Sequence, residues 1–592
     1  MILLQSFIGF YAMFIAPQIF IYYRYNDLKY SLVLSYGMIL SFTGSWLLFL
    51  IIFYLKIPNI VVQLMALLLF CTSFIYMFRK TKENNNIYYI FWIISFIAII
   101  PLYQYIGTGF NSWDAVNAWN RWGIELFDNY YDPINAAYPL LLPSIWAMLY
   151  KVQGTSDIWL ISRISMFVLP TISIVLLTTL YYESKNKSYL FMLLFLYPFL
   201  IEYRTTVGDM DIPVMIMGTL SLILLYTAEL YKEKKEYKYY LYAALLVAGV
   251  SSIIKQAGLV FVLFNIIYLL LNLRYIQDKK SIFLVALISL MYFISYLPMY
   301  YLNGEDGVVG NIEYLQEISV QIIYTWEEIQ KAISELWKTF WSSPYNIDFL
   351  KPLIGHFHTI QVMPYVIGFG LFLFIFRDLR TISSVNIQSA IFFLLGIAIW
   401  AKYFSYDARN SFWVKSFYII FLSINLNYLM NKYRPNFVFF FAIVIITFVF
   451  AMSTLDNKYA YDKQKSFQQY IGDEKLSKYI VNTLLKNKDT CVKINTNRQY
   501  LQFNYYARNV KSQFMIDRLY PLKSLQKNEL EHSCRDGKYL ILRDNTKSKS
   551  LRDWVKIQVF IEKGILKPVK HGENIIYFIP PNQTLKGKYF DK

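Results

Sequence analysis

Apolar runs of about 17 to 25 residues, long enough to cross a bilayer, recur along this chain and alternate with short polar turns. Four come first, near 2–23, 31–55, 58–78 and 87–105. Ten follow, near 160–182, 188–206, 212–231, 239–254, 258–273, 281–300, 360–376, 387–404, 412–430 and 436–450. The pattern predicts a polytopic α-helical membrane protein with about fourteen transmembrane helices. Alternate turns are rich in lysine or arginine: RKTKENNN with Arg79, Lys80 and Lys82, then ESKNK, KEKKEYK, RYIQDKK, RDLR and NKYR. Basic turns favour the cytoplasmic side, so the turns GDMD, KQAG and YDARN are expected on the opposite face.

Three regions break the rhythm. The outer loop 106–155 holds a polar and aromatic island from Gly107 to Pro143, GTGFNSWDAVNAWNRWGIELFDNYYDPINAAYPLLLP, on the expected outer face. Its apolar end, 138–150, is too short to cross and carries Pro139 and Pro143, so it predicts a re-entrant or interfacial helix. The loop 301–359 repeats Leu315, Ile318, Ile322, Trp326, Ile329, Ile333, Leu336 and Phe340 at spacings of three and four, one helical stripe suited to a membrane surface or to packing. Beyond 453 the chain turns polar, with a helical run near 467–485 and strand-like runs at 491–494, 538–542 and 575–579, the pattern of a small soluble mixed α/β domain. The division is therefore 1–86, a three-helix extension; 87–453, the main membrane region; and 454–592, the tail, which the even number of spans puts on the island's side.

Composition agrees with a membrane protein: of 592 residues 56% are hydrophobic and only 16% charged. The net charge of +18 suggests nucleic acid, but basic residues gather in the turns that the positive-inside rule explains, and no nucleic-acid partner is expected. Cys71 lies in an apolar run, whereas Cys491 and Cys534 share the tail, where export would let them form a disulfide and a cytosolic tail would leave two thiols.

Asp114, close behind a span and flanked by Trp113, Trp119 and Trp122, is the first candidate. A helix from Ser112 would align it with Asn117 and Arg121; the carboxylate suits a general base or, equally, a helix start. In GDMDIP, an extended segment would turn Asp209 and Asp211 to one side, where a hard divalent cation (Mg or Mn) would bind; alternatively Asp211 opens the helix at Pro213. Arg204, Lys255, Lys402 and Arg409 fall near outer span ends, placed for a lipid phosphate or for a local acid such as Asp407. His356 and His358 lack companion ligands at a metal spacing and read as interfacial.

The order SWDAVNAW, AYPLLLP, GDMDIP, KQAG, YDARN resembles the GT-C class of integral-membrane glycosyltransferases, including protein O-mannosyltransferases and bacterial enzymes that decorate lipid A or O-antigen from polyprenyl-phosphate sugars. Asp114 and Tyr138-Pro139 match the aspartate and YP-containing helix of the first outer loop. Asp209, Asp211 and Pro213 resemble its second acidic element, Lys255 and Gly258 its K-x-x-G element, and Arg409 its late arginine. Three spans precede the usual first one, and a single acid stands where protein O-mannosyltransferases carry an adjacent pair. The resemblance implies inverting transfer from a polyprenyl-phosphate sugar to a glycan, lipid or protein acceptor outside a bacterial plasma membrane. Asp114 would be the base; Lys255, Arg409 and Arg204 would bind phosphate; and Trp113, Asn117, Arg121 and Tyr138 would meet acceptor or sugar. An O-antigen polymerase or ligase is the nearest rival, and a polytopic transporter the rival of another class, although the paired half-repeats of transporters are missing from the sequence.

Overall fold

The computed structural model describes residues 2–25, 28–79, 87–103, 110, 115–129, 138–156, 158–202, 205, 208–272, scattered positions between 283 and 295, 383–399 and 412–433, with five strands between 491 and 579. The expected spans 360–376 and 436–450, most of 281–300, the stripe at 315–340, and His356 and His358 lie outside those residues. The chain forms two compact units, one of Met1–Ser112 with Trp122–Asn457 and one of Trp113–Arg121 with Lys458–Lys592.

The first unit is helical. In chain order it contains α1 (Ile2–Arg24), α2 (Tyr30–Tyr54), α3 (Asn59–Arg79), α4 (Ile87–Ala98), α5 (Asn120–Phe127, in which the unit boundary falls), α6 (Leu141–Gln153) and α7 (Leu160–Ser184). Then come α8 (Ser188–Leu200), α9 (Asp211–Leu230), α10 (Tyr237–Ile254), α11 (Leu259–Leu271), α12 (Ser384–Ile399) and α13 (Phe412–Tyr433). Among the described residues six helices, α1, α2, α3, α7, α9 and α10, are long and apolar enough to cross a membrane, as expected of an α-helical membrane protein.

Three of these helices are not regular: a turn at Met166–Phe167 interrupts α7, and α1 and α2 each hold a π turn. A π turn occupies Tyr11–Ile15 in α1, just before Pro17, which has no N–H to offer the Met13 carbonyl. Its counterpart in α2 is Leu40–Gly44, and the two turns meet where the Phe14 and Phe42 rings pack edge to face at 5.7 Å. Helix α6 has only 13 residues, all buried, and packs on α1, α2 and α3. It is too short to span, and its burial favours a packed interior helix over one lying along a surface.

Helix α9 is the hub, packing on α10, α13 and α11. With little hydrophobic drive between helices in lipid, small polar side chains supply part of the adhesion. Thr219 of α9 bonds Ser416 of α13 at 2.9 Å; Asn265 of α11 donates to Ser221 of α9 at 2.9 Å; and Asn386 of α12 pairs with Asn425 of α13 at 3.1 Å.

At one end of the bundle, two carboxylates cap neighbouring helices. Glu183, in the last turn of α7, accepts the Ser31 backbone N–H at 3.2 Å and the Ser31 hydroxyl at 2.5 Å in the first turn of α2. Glu229, in the last turn of α9, does the same for α12, accepting the Ser384 N–H at 2.8 Å and the Val385 N–H at 3.1 Å. An acid is disfavoured at the end of its own helix and favoured at the start of another, so these contacts reconcile each acid with its position. Tyr240 joins the Ser31 hydroxyl at 2.6 Å, and Lys29 donates to Tyr231 at 2.7 Å. The same end thus gathers the starts of α2, α10 and α12 and the ends of α7 and α9, the alternation that the basic turns predict. Glu183→Ala should lower stability by about 2 kcal/mol by orphaning the Ser31 backbone N–H and leaving the Ser31 hydroxyl with Tyr240 alone, and Glu183→Gln should recover most of it. Thermal unfolding in detergent reads both.

The second unit contains one sheet, ordered β2-β1-β3-β5-β4, from Cys491–Ile494 (β1), Ile516–Arg518 (β2), Lys538–Ile541 (β3), Lys567–His571 (β4) and Asn574–Ile579 (β5). β1 runs parallel to β2 and β3, whereas β5 is antiparallel to β3 and β4. The three expected strand runs are β1, β3 and β5. Pro568 falls in β4, at the sheet's edge, where a missing N–H does no harm.

Candidate functional site

At the opposite end of the bundle, the start of α9 meets the end of α10. Thr205 donates to the Phe199 carbonyl at 2.8 Å, satisfying the last turn of α8. Gly208 follows with φ +92, a left-handed conformation that glycine adopts without strain. Met210 is already helical at φ −93 and ψ −11, and Asp211 is the first residue of α9. The extended segment expected to turn Asp209 and Asp211 to one side is therefore absent. Pro213 does not block the helix, because a first-turn N–H has no partner to lose. Asp211 takes the helix-start alternative, where the positive end of α9 favours its charge.

Helix α10 stops at Ile254 because Lys255 is extended, at φ −156 and ψ 151. A single 3₁₀ turn, Gln256–Gly258, then leads into α11. The change of direction carries the Lys255 side chain to Asp211, whose Oδ1 accepts from Nζ at 2.5 Å. Only 18% of the lysine side chain and 12% of the aspartate side chain are exposed, so this is a largely desolvated ion pair. The lysine also lies at the negative end of α10, so each charge matches its own helix terminus.

An aromatic pair borders the ion pair. The Lys255 ammonium is 6.0 Å from the centre of the Tyr138 ring, which stacks on Trp122 at 6.0 Å and 27°. Trp122 is buried and Tyr138 is partly open to solvent. The tryptophan is held by α5, whose last turn is fastened from α6. Lys151, 2% exposed, donates to the Phe127 carbonyl at 3.0 Å and to Asn129 Oδ1 at 3.4 Å. Chemically the arrangement offers an ammonium and a carboxylate beside a partly open aromatic face, groups that can meet a charged ligand and stack on a ring.

Of the candidates named from sequence, the structure brings together Asp211, Lys255 and Tyr138. Asp209 is buried two residues before Asp211. Arg121 is half-buried in the first turn of α5 and belongs to the second unit. Asn117 lies in a π turn, Ala115–Trp119, so regular α-helical spacing does not run from 114 to 121; its side chain is outside the described residues. Trp113, Asp114, Arg204, Lys402, Arg409 and Cys534 are outside them as well, as is the side chain of Cys491, which opens β1. Sequence reasoning missed Lys151 and Lys415, both nearly fully buried. The visible signal was a lysine inside the apolar run 412–430 for Lys415 and a lysine at the close of the apolar run 138–150 for Lys151. No protein-family model, characterised protein or solved structure matches the chain.

Proposed function

We propose that the chain is a GT-C-type membrane glycosyltransferase, moving a sugar from a polyprenyl-phosphate donor to a cell-envelope glycan, lipid or protein acceptor on the non-cytoplasmic face of a bacterial plasma membrane. This reading takes about fourteen spans and a soluble α/β tail on that face. The observation that carries it is the Asp211–Lys255 pair beside Tyr138 and Trp122, where two short turns separated in sequence meet at one end of the helices. Asp114 accepts the proton of the acceptor hydroxyl, whose oxygen bonds to the anomeric carbon. The bond from that carbon to the phosphate oxygen breaks, and the lipid phosphate departs with the electron pair. Lys255, with Arg409 and Arg204, stabilises the charge developing on phosphate, and the aromatic residues stack on the sugar.

Purified protein given a synthetic polyprenyl-phosphate sugar and a panel of envelope acceptors should release lipid phosphate. Asp114→Asn should slow that release by roughly 100-fold or more, the usual scale for removing a general base. An unchanged rate removes Asp114 from the mechanism, and no release with any donor and acceptor pair removes the reading.

A further inference from the structure

The resemblance leaves open a divalent cation at Asp209 and Asp211, and the residues present fit that ion poorly. Such ions are held by several oxygens at about 2.0 to 2.6 Å. Oδ1 of Asp211 already accepts from the Lys255 ammonium at 2.5 Å, so a cation on that oxygen would sit against a like charge in a poorly solvated place. The positive end of α9 adds to the repulsion. The two carboxylates also flank a helical Met210 instead of sharing one side of an extended strand.

A second ammonium lies at the same end of the bundle. Lys415, in the first turn of α13 and 1% exposed, is 4.2 Å from the centre of the Phe412 ring and 5.4 Å from that of Phe199. The start of its own helix disfavours a cation, so burial there calls for anionic or aromatic compensation close by. Its neighbour Ser416 donates to the Met215 carbonyl at 3.3 Å and accepts from the Thr219 hydroxyl at 2.9 Å, which places that serine about one to two helical turns along α9 from Asp211.

We propose that lysine ammonium groups, Lys255 on Asp211 and Lys415 beside the same helix, stand in place of a divalent cation, so that this site binds a phosphate ester without metal. The inference deepens the glycosyltransferase reading of the same site, and its test does not depend on sugar transfer. The purified full-length chain in nanodiscs is titrated with Mn²⁺, and free ion is followed by electron paramagnetic resonance. The unaltered protein should show no Mn²⁺ uptake that Asp211→Asn removes. Lys255→Met should gain Mn²⁺ affinity by about tenfold or more, and adding Asp211→Asn should abolish the gain. In excess EDTA, farnesyl phosphate should still bind, and Lys415→Met should weaken that binding about tenfold. Inorganic phosphate, run in parallel, tells a lipid headgroup from a free phosphate.

A Mn²⁺ site in the unaltered protein that Asp211→Asn destroys overturns the proposal. So does phosphate binding that requires Mn²⁺, failure of both phosphates to bind in EDTA, a folded Lys255→Met chain that gains no Mn²⁺ site, or unweakened farnesyl phosphate binding to a folded Lys415→Met chain. If either methionine variant fails to fold, the comparison of unaltered protein with Asp211→Asn decides. Mn²⁺ uptake that Asp211→Asn removes, in an active transferase, would sink this inference alone, whereas absent transfer without such uptake would sink the functional reading alone.

Discussion

Lys255→Met should destabilise the chain by about 3 to 4 kcal/mol, because it strands the Asp211 carboxylate where water reaches it poorly. Asp211→Asn alone should cost less, since the lysine is the more exposed partner and its long stem can carry the ammonium toward solvent. The double variant should recover part of the stability lost in Lys255→Met, with a coupling of about 2 kcal/mol, within the range seen for buried contacting pairs. Urea or thermal unfolding of the four proteins in one detergent closes the cycle, and strict additivity would show that the pair contributes nothing to the fold. Sugar transfer should part company with stability. The double variant is expected to fold and still release lipid phosphate at least about 100-fold more slowly, because the ammonium that meets the leaving group is gone. Recovery of transfer along with stability would reduce the pair to a structural clasp.

The parts of this fold that were legible in the sequence depend on one segment at a time. Burying backbone in lipid demands long apolar runs, and those runs coincide with α1, α2, α3, α7, α9 and α10. The strands β1, β3 and β5 show their own periodicity, whereas β2, with three residues, and β4, with a proline, give no such signal. What stayed hidden depends on which helices are neighbours. Glu183 reads as one acid in a basic turn; that it caps α2 is decided by the placement of Ser31, 152 positions earlier in the chain. Lys255 and Asp211 were each legible as candidates, but their pairing follows from α9 and α10 running antiparallel with both termini at one level. The conformation at Met210 was misjudged for another reason. Glycine and proline bracket the segment, yet a proline in the first turn of a helix removes nothing the helix needs.

Gly258→Ala should reproduce the loss of transfer without touching a charged residue. The 3₁₀ turn Gln256–Gly258 folds back on the last turns of α10, so a methyl group on Gly258 would fall within the van der Waals radius of the Ser251 carbonyl and crowd the Ser252 nitrogen. Both obstacles are backbone inside α10, which cannot swing aside as a side chain would. The backbone of Gly258 itself is ordinary for any residue, at φ −65 and ψ −21, so the obstacle is space and not conformation. The turn must therefore lift away from α10, and Lys255, three residues earlier, moves with it. A displacement of about 1 Å is enough to cost roughly 100-fold in a reaction that depends on alignment. Helix α10 keeps its packing on α9, so the chain should still insert and purify, with a stability loss of about 1 to 3 kcal/mol, the usual cost of overpacking. The decisive comparison is with Gly218→Ala, where the added methyl meets the ring of Phe261, a side chain. That variant should lose stability but retain most of its transfer rate, because its strain falls between α9 and α11, away from Lys255. Equal loss of transfer in the two variants would mean that general loosening of the bundle, and not the placement of Lys255, limits the reaction.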